Sequence, residues 1–235
     1  MLYGNAIPMF KNRVCEQTHP HQRCADLTLA WRRDVCLFIY FYGMNENKLK
    51  YFLLHKPYGF LSQFTDKLSR RTLSNLTNIP KDVYPVGRLD MDSEGLLLLS
   101  NDKLLVEYLL NPNNFHEKEY LAQVEGIPTK EELKRFKEGL LIEEKRTLPA
   151  KIEIIQPINI PPRVPPIRVR YNIPDCWLKI VIREGRNRQV RKMTAAIGHP
   201  TLRLIRIKIK NLLLGNLNPG EIRELTEDEV RELKL

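Results

Sequence analysis

The chain predicts an α+β fold built on a mixed, largely antiparallel sheet, and three features lead there. Strand-type and helix-type patterns alternate through residues 49 to 235 without an internal repeat. The apolar run Leu96–Leu99, bounded by Gly95 and by Ser100-Asn101-Asp102, suits a strand covered on both faces. Two Thr-x-x-Glu patterns, Thr129 with Glu132 and Thr226 with Glu229, read as capping boxes that start helices.

Taken in order, Tyr51 to His55 reads as a first strand and Lys56-Pro57-Tyr58-Gly59 as a turn. Tyr84 to Val86 is a second strand, followed by a loop and then the Leu96–Leu99 run. Asp102 caps a helix that continues to about Leu110, where Asn111-Pro112 stops it. Lys118 to Glu125 alternates as a strand, and the helix opened by Thr129 closes at Gly139. Strands are expected at Leu148 to Ile155, Ile167 to Tyr171 and Trp177 to Arg183, then a turn at Gly185. A helix beginning near Asn187 and ending at Gly198, ahead of Pro200, would face the core with Val190, Met193, Thr194 and Ile197. Thr201 to Arg206 supplies a further strand, and the final helix begins at Thr226.

Composition narrows the partner. With 235 residues, 43% of them hydrophobic, the chain can bury one sizeable core or two adjoining ones. A formal charge of +10 and a pI near 9.5 favour an acidic partner, with nucleic acid ahead of an anionic surface. The longest apolar candidate, Val35 to Tyr42, falls far short of the roughly 20 residues a spanning helix needs, so no membrane role is expected. Cys15, Cys24, Cys36 and Cys176 show no paired ligand spacing, and His19 and His21 stand alone between two of them. No metal site is expected, and free thiols in a reducing cytoplasm are the simpler account. The first 43 residues carry five Lys or Arg against three acids and have no clear period. Two explanations stand: translation starting at Met44, or a loose basic arm. The expected division is an extension over residues 1–48 and a folded body over 49–235.

The chemistry concentrates in two stretches. Gly87-Arg88-Leu89-Asp90-Met91-Asp92-Ser93-Glu94-Gly95 sets a carboxylate beside an arginine just ahead of a buried strand, where a loop can present it to a cleft. The competing reading is a surface turn whose Asp caps its own backbone. The second stretch, Arg183-Glu184-Gly185-Arg186-Asn187-Arg188-Gln189-Val190-Arg191-Lys192, gathers five basic residues around a turn and the first turns of a helix. Like charges this close repel unless an anion or a carboxylate compensates them, which points to a polyanion.

These stretches resemble the pseudouridine synthases of the RsuA branch. The likeness runs over roughly residues 49 to 225 and includes Leu54-His55-Lys56-Pro57-Tyr58-Gly59, Gly87-Arg88-Leu89-Asp90, Lys118-Glu119-Tyr120-Leu121 and Glu184 through Arg191. Within the branch it is greatest to the members acting on large-subunit ribosomal RNA, which carry a similar Pro-rich insert, here Pro157 to Pro166. A small RNA-binding domain of the S4 type, common at the start of this branch, is not legible here.

The resemblance implies two abutting subdomains with an RNA cleft between them and a catalytic Asp on its floor. It implies isomerisation of uridine, in which the bond between ribose and uracil N1 breaks and the base rejoins through C5, without metal or cofactor. Asp90 is implied as the catalytic carboxylate, in a nucleophilic or a basic role, either of which requires it ionised. Arg191 is implied as its basic partner, holding it charged, and Tyr120 as the active-site ring. Arg88 takes the place vacated by the flipped base, with a salt bridge to Asp90 or Asp92 as the competing reading. Leu204 either packs under the flipped base or is ordinary core, and Lys56 is either RNA-facing or structural. Arg183, Arg186, Arg188 and Lys192 complete the RNA-binding set, and the expected partner is ribosomal RNA met by a monomer.

Other classes fare worse. A glycoside hydrolase needs carboxylates flanking a bond from opposite sides, which Asp90 and Asp92, two apart on one loop, seldom provide. A non-catalytic RNA-binding assembly factor would be expected to lose Asp90, Tyr120 or Arg191, and all three are present. A synthase acting on transfer RNA or small-subunit RNA stays open, because the amino-acid sequence does not spell out the target.

Overall fold

The computed structural model describes residues 48–76, 79–156, 160–167 and 172–235. The expectations for residues 1 to 43, and for all but the first residue of the Ile167–Tyr171 strand, lie outside these.

Leu49–Leu235 forms one compact unit. Its elements are β1 (Tyr51–Lys56), β2 (Tyr84–Pro85), β3 (Glu94–Ser100), α1 (Lys103–Leu110), β4 (Lys118–Glu125), α2 (Lys130–Glu138), β5 (Leu141–Ile142) and β6 (Lys145–Arg146). They continue with β7 (Lys151–Ile155), β8 (Asp175–Ile182), α3 (Gln189–Ala196), β9 (Thr201–Ile209), β10 (Leu212–Leu213), β11 (Ile222–Glu224) and α4 (Glu227–Lys234). The helix starts follow local chemistry. Asp102 accepts from the Leu105 N–H, and Thr129 and Thr226 close the two capping boxes with Glu132 and Glu229.

The large sheet runs β11-β1-β3-β9-β4-β8-β7, with β2 added to β3 and β10 to β9. Every pairing is antiparallel except β3 with β9. β3 is buried along its whole length, as its unbroken apolar run requires. Its alternate residues feed two layers. Leu96 and Leu98 pack with Leu53, Ile205 and Ile209, while Leu97 and Leu99 pack with Leu54, Leu73 and Val83. A third cluster joins β4, β7 and β8 to α2 and α3 through Phe136, Leu178, Ile180, Val190 and Met193.

The β3–β9 contact is the hinge of the architecture. It consists of two register pairs, Glu94 with Ile205 and Gly95 with Arg206. Beyond them the strands part: β2 takes the free edge of β3 at Ser100, and β10 that of β9 at Ile209. The sheet therefore consists of two abutting halves, β11-β1-β3 and β9-β4-β8-β7. Gly95 makes the join possible. Its φ is +103°, and a Cβ there would lie 2.2 Å from the Arg206 carbonyl oxygen. Gly95→Ala should cost at least about 2 kcal/mol through backbone strain and overpacking, seen as a lower urea midpoint; an unchanged midpoint would show that the strands can separate freely.

Glu94 and Arg203 lock the same join. They are 2% and 4% exposed, and the guanidinium donates to both carboxylate oxygens at 2.8 Å while its remaining nitrogen donates to the Pro161 carbonyl at 2.8 Å. No helix among the described residues is long and apolar enough to cross a membrane.

Candidate active site

A cleft of about 490 Å³ opens beside the diverging β3 and β9. Asp90, Tyr120, Leu204, Arg88, Arg183, Arg186 and Arg188 all line it, with Lys118 and Arg206.

Asp90 sits on the loop between β2 and β3, which is tied down on several sides. The Gly59 N–H donates to the Met91 carbonyl at 2.8 Å and the Ser93 N–H to the Asp90 carbonyl at 3.0 Å. The Ser62 hydroxyl donates to the Leu89 carbonyl at 2.8 Å and accepts from the Leu89 N–H at 3.0 Å. Among the described residues no backbone N–H reaches the Asp90 carboxylate, so the self-capping reading does not hold. The nearest cation is Arg188, at 3.6 Å from Oδ2.

Arg191, expected beside Asp90, is engaged with Asp92. Its Nη2 donates to the Asp92 carbonyl at 2.7 Å, its Nη1 to the Thr201 carbonyl at 3.1 Å, and its Nε lies 3.4 Å from Asp92 Oδ2. Arg188 grips both Asp92 oxygens, at 2.8 and 2.7 Å, a planar fork on a planar carboxylate. Burial works against the Asp92 charge, but the Arg188 hydrogen bonds and the charges of Arg191 and Arg188 outweigh it and hold the carboxyl below its usual range. Burial lowers Arg191, with Asp92 opposing, and a guanidinium stays protonated regardless. Two residues apart, Asp90 and Asp92 thus differ: one is bound tightly by arginines and the other is left open to the cleft.

The remaining basic residues divide in the same way. Arg183 meets Glu117, and Lys192, outside the cleft wall, meets Glu143 at 2.7 Å. Arg186 donates to Glu184 and to the carbonyls of Lys145 and Arg146, so its guanidinium is largely committed to the β5–β6 hairpin. Carboxylates and carbonyls therefore compensate most of the cluster that sequence reading assigned to a polyanion. Arg88 differs: it is exposed on the cleft wall and, among the described residues, makes no ion pair with Asp90 or Asp92. Tyr120 and Leu204 belong both to the β4–β8 core cluster and to the cleft wall, which makes Leu204 core and cleft residue at once.

Lys56 corrects an expectation. It is 0% exposed, so the RNA-facing alternative fails; its ammonium donates to the Ser93 carbonyl at 2.8 Å and the Pro57 carbonyl at 2.9 Å, pinning the Asp90 loop to β1. Burial pushes its pKa down to about 8, opposed by Glu94, Asp92 and Asp90. Below that pH the ammonium is protonated in the folded and unfolded chain alike. Above it the folded protein releases the proton while the unfolded chain, with an ordinary Lys near 10.4, retains it. The unfolded state then binds more protons, and stability rises with pH. Relative to Lys56→Met, the wild type should gain up to about 3 kcal/mol from about pH 8 to about pH 10.4 in urea unfolding; parallel curves for the two proteins would contradict this.

Lys118 and Arg206 are Lys or Arg residues of the wall that the sequence did not single out. Lys118 stood within a quoted motif, but lysine on an alternating strand usually signals its solvent side. Among the described residues no group of three His, Cys, Asp or Glu side chains is placed to hold a metal ion.

An anchored loop that presents an open carboxylate to a basic cleft, lined also by a tyrosine and a leucine, fits the machinery of an RNA-modifying isomerase. Residues 50–196 match the RNA pseudouridylate synthase family, and the chain belongs to that family. It is 48% identical over 176 residues to the ribosomal large subunit pseudouridine synthase E of Vibrio parahaemolyticus, covering 75% of this chain and 74% of the relative. Against the enzyme of that name from Xanthomonas axonopodis it is 48% identical over 170 residues, covering 71% and 89%. The ribosomal large subunit pseudouridine synthase B of Bacillus subtilis is 40% identical over 185 residues, covering 78% and 71%. A solved pseudouridylate synthase superposes with a TM-score of 0.66 at 31% identity, covering 79% of this chain and 74% of that one. The protein is an RNA pseudouridine synthase, an isomerase.

Proposed function

We propose that this enzyme converts a uridine of large-subunit ribosomal RNA to pseudouridine, with Asp90 as the catalytic carboxylate. The observation that carries the assignment of Asp90 is its placement: the carboxylate lies on a loop anchored by Lys56, Ser62 and Gly59, in the cleft wall, with Arg188 at 3.6 Å. The relatives named for the large subunit support the choice of RNA.

The target base leaves its stack at a cost of a few kcal/mol, and Arg88, exposed on the wall and unpaired among the described residues, fills the gap. Tyr120 and Leu204 receive the uracil between ring and side chain. Asp90, ionised, bonds to C1′ or takes a proton from C2′ as the C1′–N1 bond breaks and the bonding pair leaves on the uracil. The base turns and C5 bonds to C1′, which breaks the Asp90–C1′ bond in the first case, while in the second Asp90 returns its proton to C2′; C5 then gives up its proton and N1 gains one, so the reaction is balanced as an isomerisation. Arg191 acts through Asp92: by fixing that carboxylate and its carbonyl it sets the loop from which Asp90 projects.

One chain supplies both walls of the cleft, which supports action as a monomer, and the reading places it with ribosomal RNA in the cytoplasm. The catalytic domain comprises residues 49–235, with 1–48 an extension outside it, and the family match over 50–196 supports this division. A protein beginning at Met44 should keep its saturating rate and melt within a degree or two of the full chain, because a stretch with no strand or helix period in its sequence is expected to add little apolar burial. Insolubility or a markedly lower melting temperature would place the segment in the fold. The assignment itself is tested by release of tritium from C5-labelled uridine in large-subunit RNA, small-subunit RNA and transfer RNA. Release from the large-subunit transcript alone is expected, and preference for either other RNA would overturn the substrate.

A further inference from the structure

Besides the exposed Arg88, two more deeply placed cations of the cleft wall lack, among the described residues, the compensation of their neighbours. Arg183, Arg186, Arg188 and Lys192 each meet a carboxylate. Lys118, among the described residues, meets neither a carboxylate nor a hydrogen-bond acceptor, although it is half-buried in the wall. Arg206 is 5% exposed; its Nε donates to the Leu96 carbonyl at 2.9 Å, and its buried Nη2 has no partner among the described residues. The two side chains feel each other. Burial and then the Arg206 charge lower the hold of Lys118 on its proton. Holding like charges together away from water costs free energy unless an anion joins them.

The register says where that anion would lie. Arg206 stands opposite Tyr120 on β9, and Lys118 opposite Ile209. Lys118 therefore lies about 7 Å from Tyr120 toward the start of β4, at roughly 3.3 Å per residue, on the side away from Ala122 and Leu204. Gly185 lies beside the ammonium: a Cβ there would meet it at ordinary contact distance, 3.8 Å, and both residues line the cleft.

We propose that Lys118, backed by Arg206, forms a subsite for the phosphodiester adjoining the flipped uridine, with Tyr120 on the base and Lys118 on the backbone of one nucleotide. The proposal rests on the synthase reading of the cleft and adds to it the group that seats the extruded nucleotide. Lys118 binds substrate charge and takes no part in bond breaking.

The test compares the full chain carrying Asp90→Asn, to block turnover, with the same chain carrying also Lys118→Gln or Lys118→Arg, in binding to target RNA across a salt series. Losing one single-strand phosphate contact should reduce the slope of log affinity on log salt by about 0.7. Lys118→Gln should show that loss, and Lys118→Arg should restore the slope. In the active enzyme, Lys118→Gln should raise KM several-fold with kcat within about two-fold, and should abolish the advantage of uridine monophosphate over uridine as an inhibitor. An unchanged slope, or a fall in kcat with KM intact, would overturn the proposal, the latter by placing Lys118 on the reacting base. Thermal unfolding guards against a folding artefact: Lys118→Gln should melt no lower than wild type, because it relieves repulsion with Arg206, and a clear fall would show that the ammonium is satisfied within the fold. Absence of tritium release by the wild type would sink the synthase reading alone, since the salt slope is read from binding.

Discussion

Asp90→Asn is expected to abolish pseudouridine formation while leaving RNA binding within a few-fold of wild type. The change keeps the shape of the side chain but removes the ionised oxygen that either mechanistic role requires. Few interactions are lost with it, since the carboxylate makes no backbone hydrogen bond among the described residues and its nearest cation stands at 3.6 Å. The fold should therefore survive. The paired control is Asp92→Asn, which loosens the grip of Arg188 and Arg191 and should lower turnover without abolishing it. Single-turnover rates for the two variants check the distinction, and comparable loss in both would mean that the roles within the loop are misassigned.

The largest expected effect on stability is at Arg203. Truncating it to Ala leaves Glu94, 2% exposed, as a buried charge without its partner, and strips the Pro161 carbonyl of its donor. Breaking a buried pair on one side costs about 3–5 kcal/mol, a large fraction of the roughly 5–15 kcal/mol that holds a domain together. Replacing both residues by apolar ones of similar volume should recover most of the loss, because the penalty lies in the orphaned charge more than in the missing attraction. Urea unfolding of the single and double variants measures this. A single variant destabilised by less than about 1 kcal/mol would show that water or a rearranged neighbour reaches Glu94. Because the pair locks the join between β3 and β9, Arg203→Ala should also lower activity, through the loop that enters β3.

Much of the scaffold was legible because it is written locally. The caps at Asp102, Thr129 and Thr226 each act within three residues, and the Leu96–Leu99 run carries its own evidence of burial on both faces. Val190, Met193, Thr194 and Ile197 are buried as helical spacing requires. Element ends moved by one to three residues: β7 starts at Lys151, β8 runs Asp175–Ile182 and α3 starts at Gln189, after Arg188 in a left-handed turn at φ +51°. What escaped was non-local. Nothing near Gly95 announces that it will touch Arg206, more than a hundred residues on, and two-residue strands such as β5 and β10 are too short to carry a period.

The site was legible as a set of residue types and less so as a set of partners. Spacing could not say which of Asp90 and Asp92 the arginines would hold, because both lie on one loop within reach of α3. Arg186 read as a free cation because its acceptors, the carbonyls of Lys145 and Arg146, belong to a hairpin with no sequence signature. Lys56 read as ambiguous because lysine is ordinarily exposed. Its full burial follows from pairing opposite Gly95, against a loop whose carbonyls need donors.

Asp90-dependent isomerisation of uridine in large-subunit ribosomal RNA can be checked in cells lacking this protein by mapping pseudouridines across both ribosomal RNAs. The same cells should be compared after the wild type or Asp90→Asn is returned. Modification of the large-subunit RNA should be lost, and restored by the wild type but by no amount of Asp90→Asn. An unchanged map, or one restored equally by Asp90→Asn, would contradict this expectation.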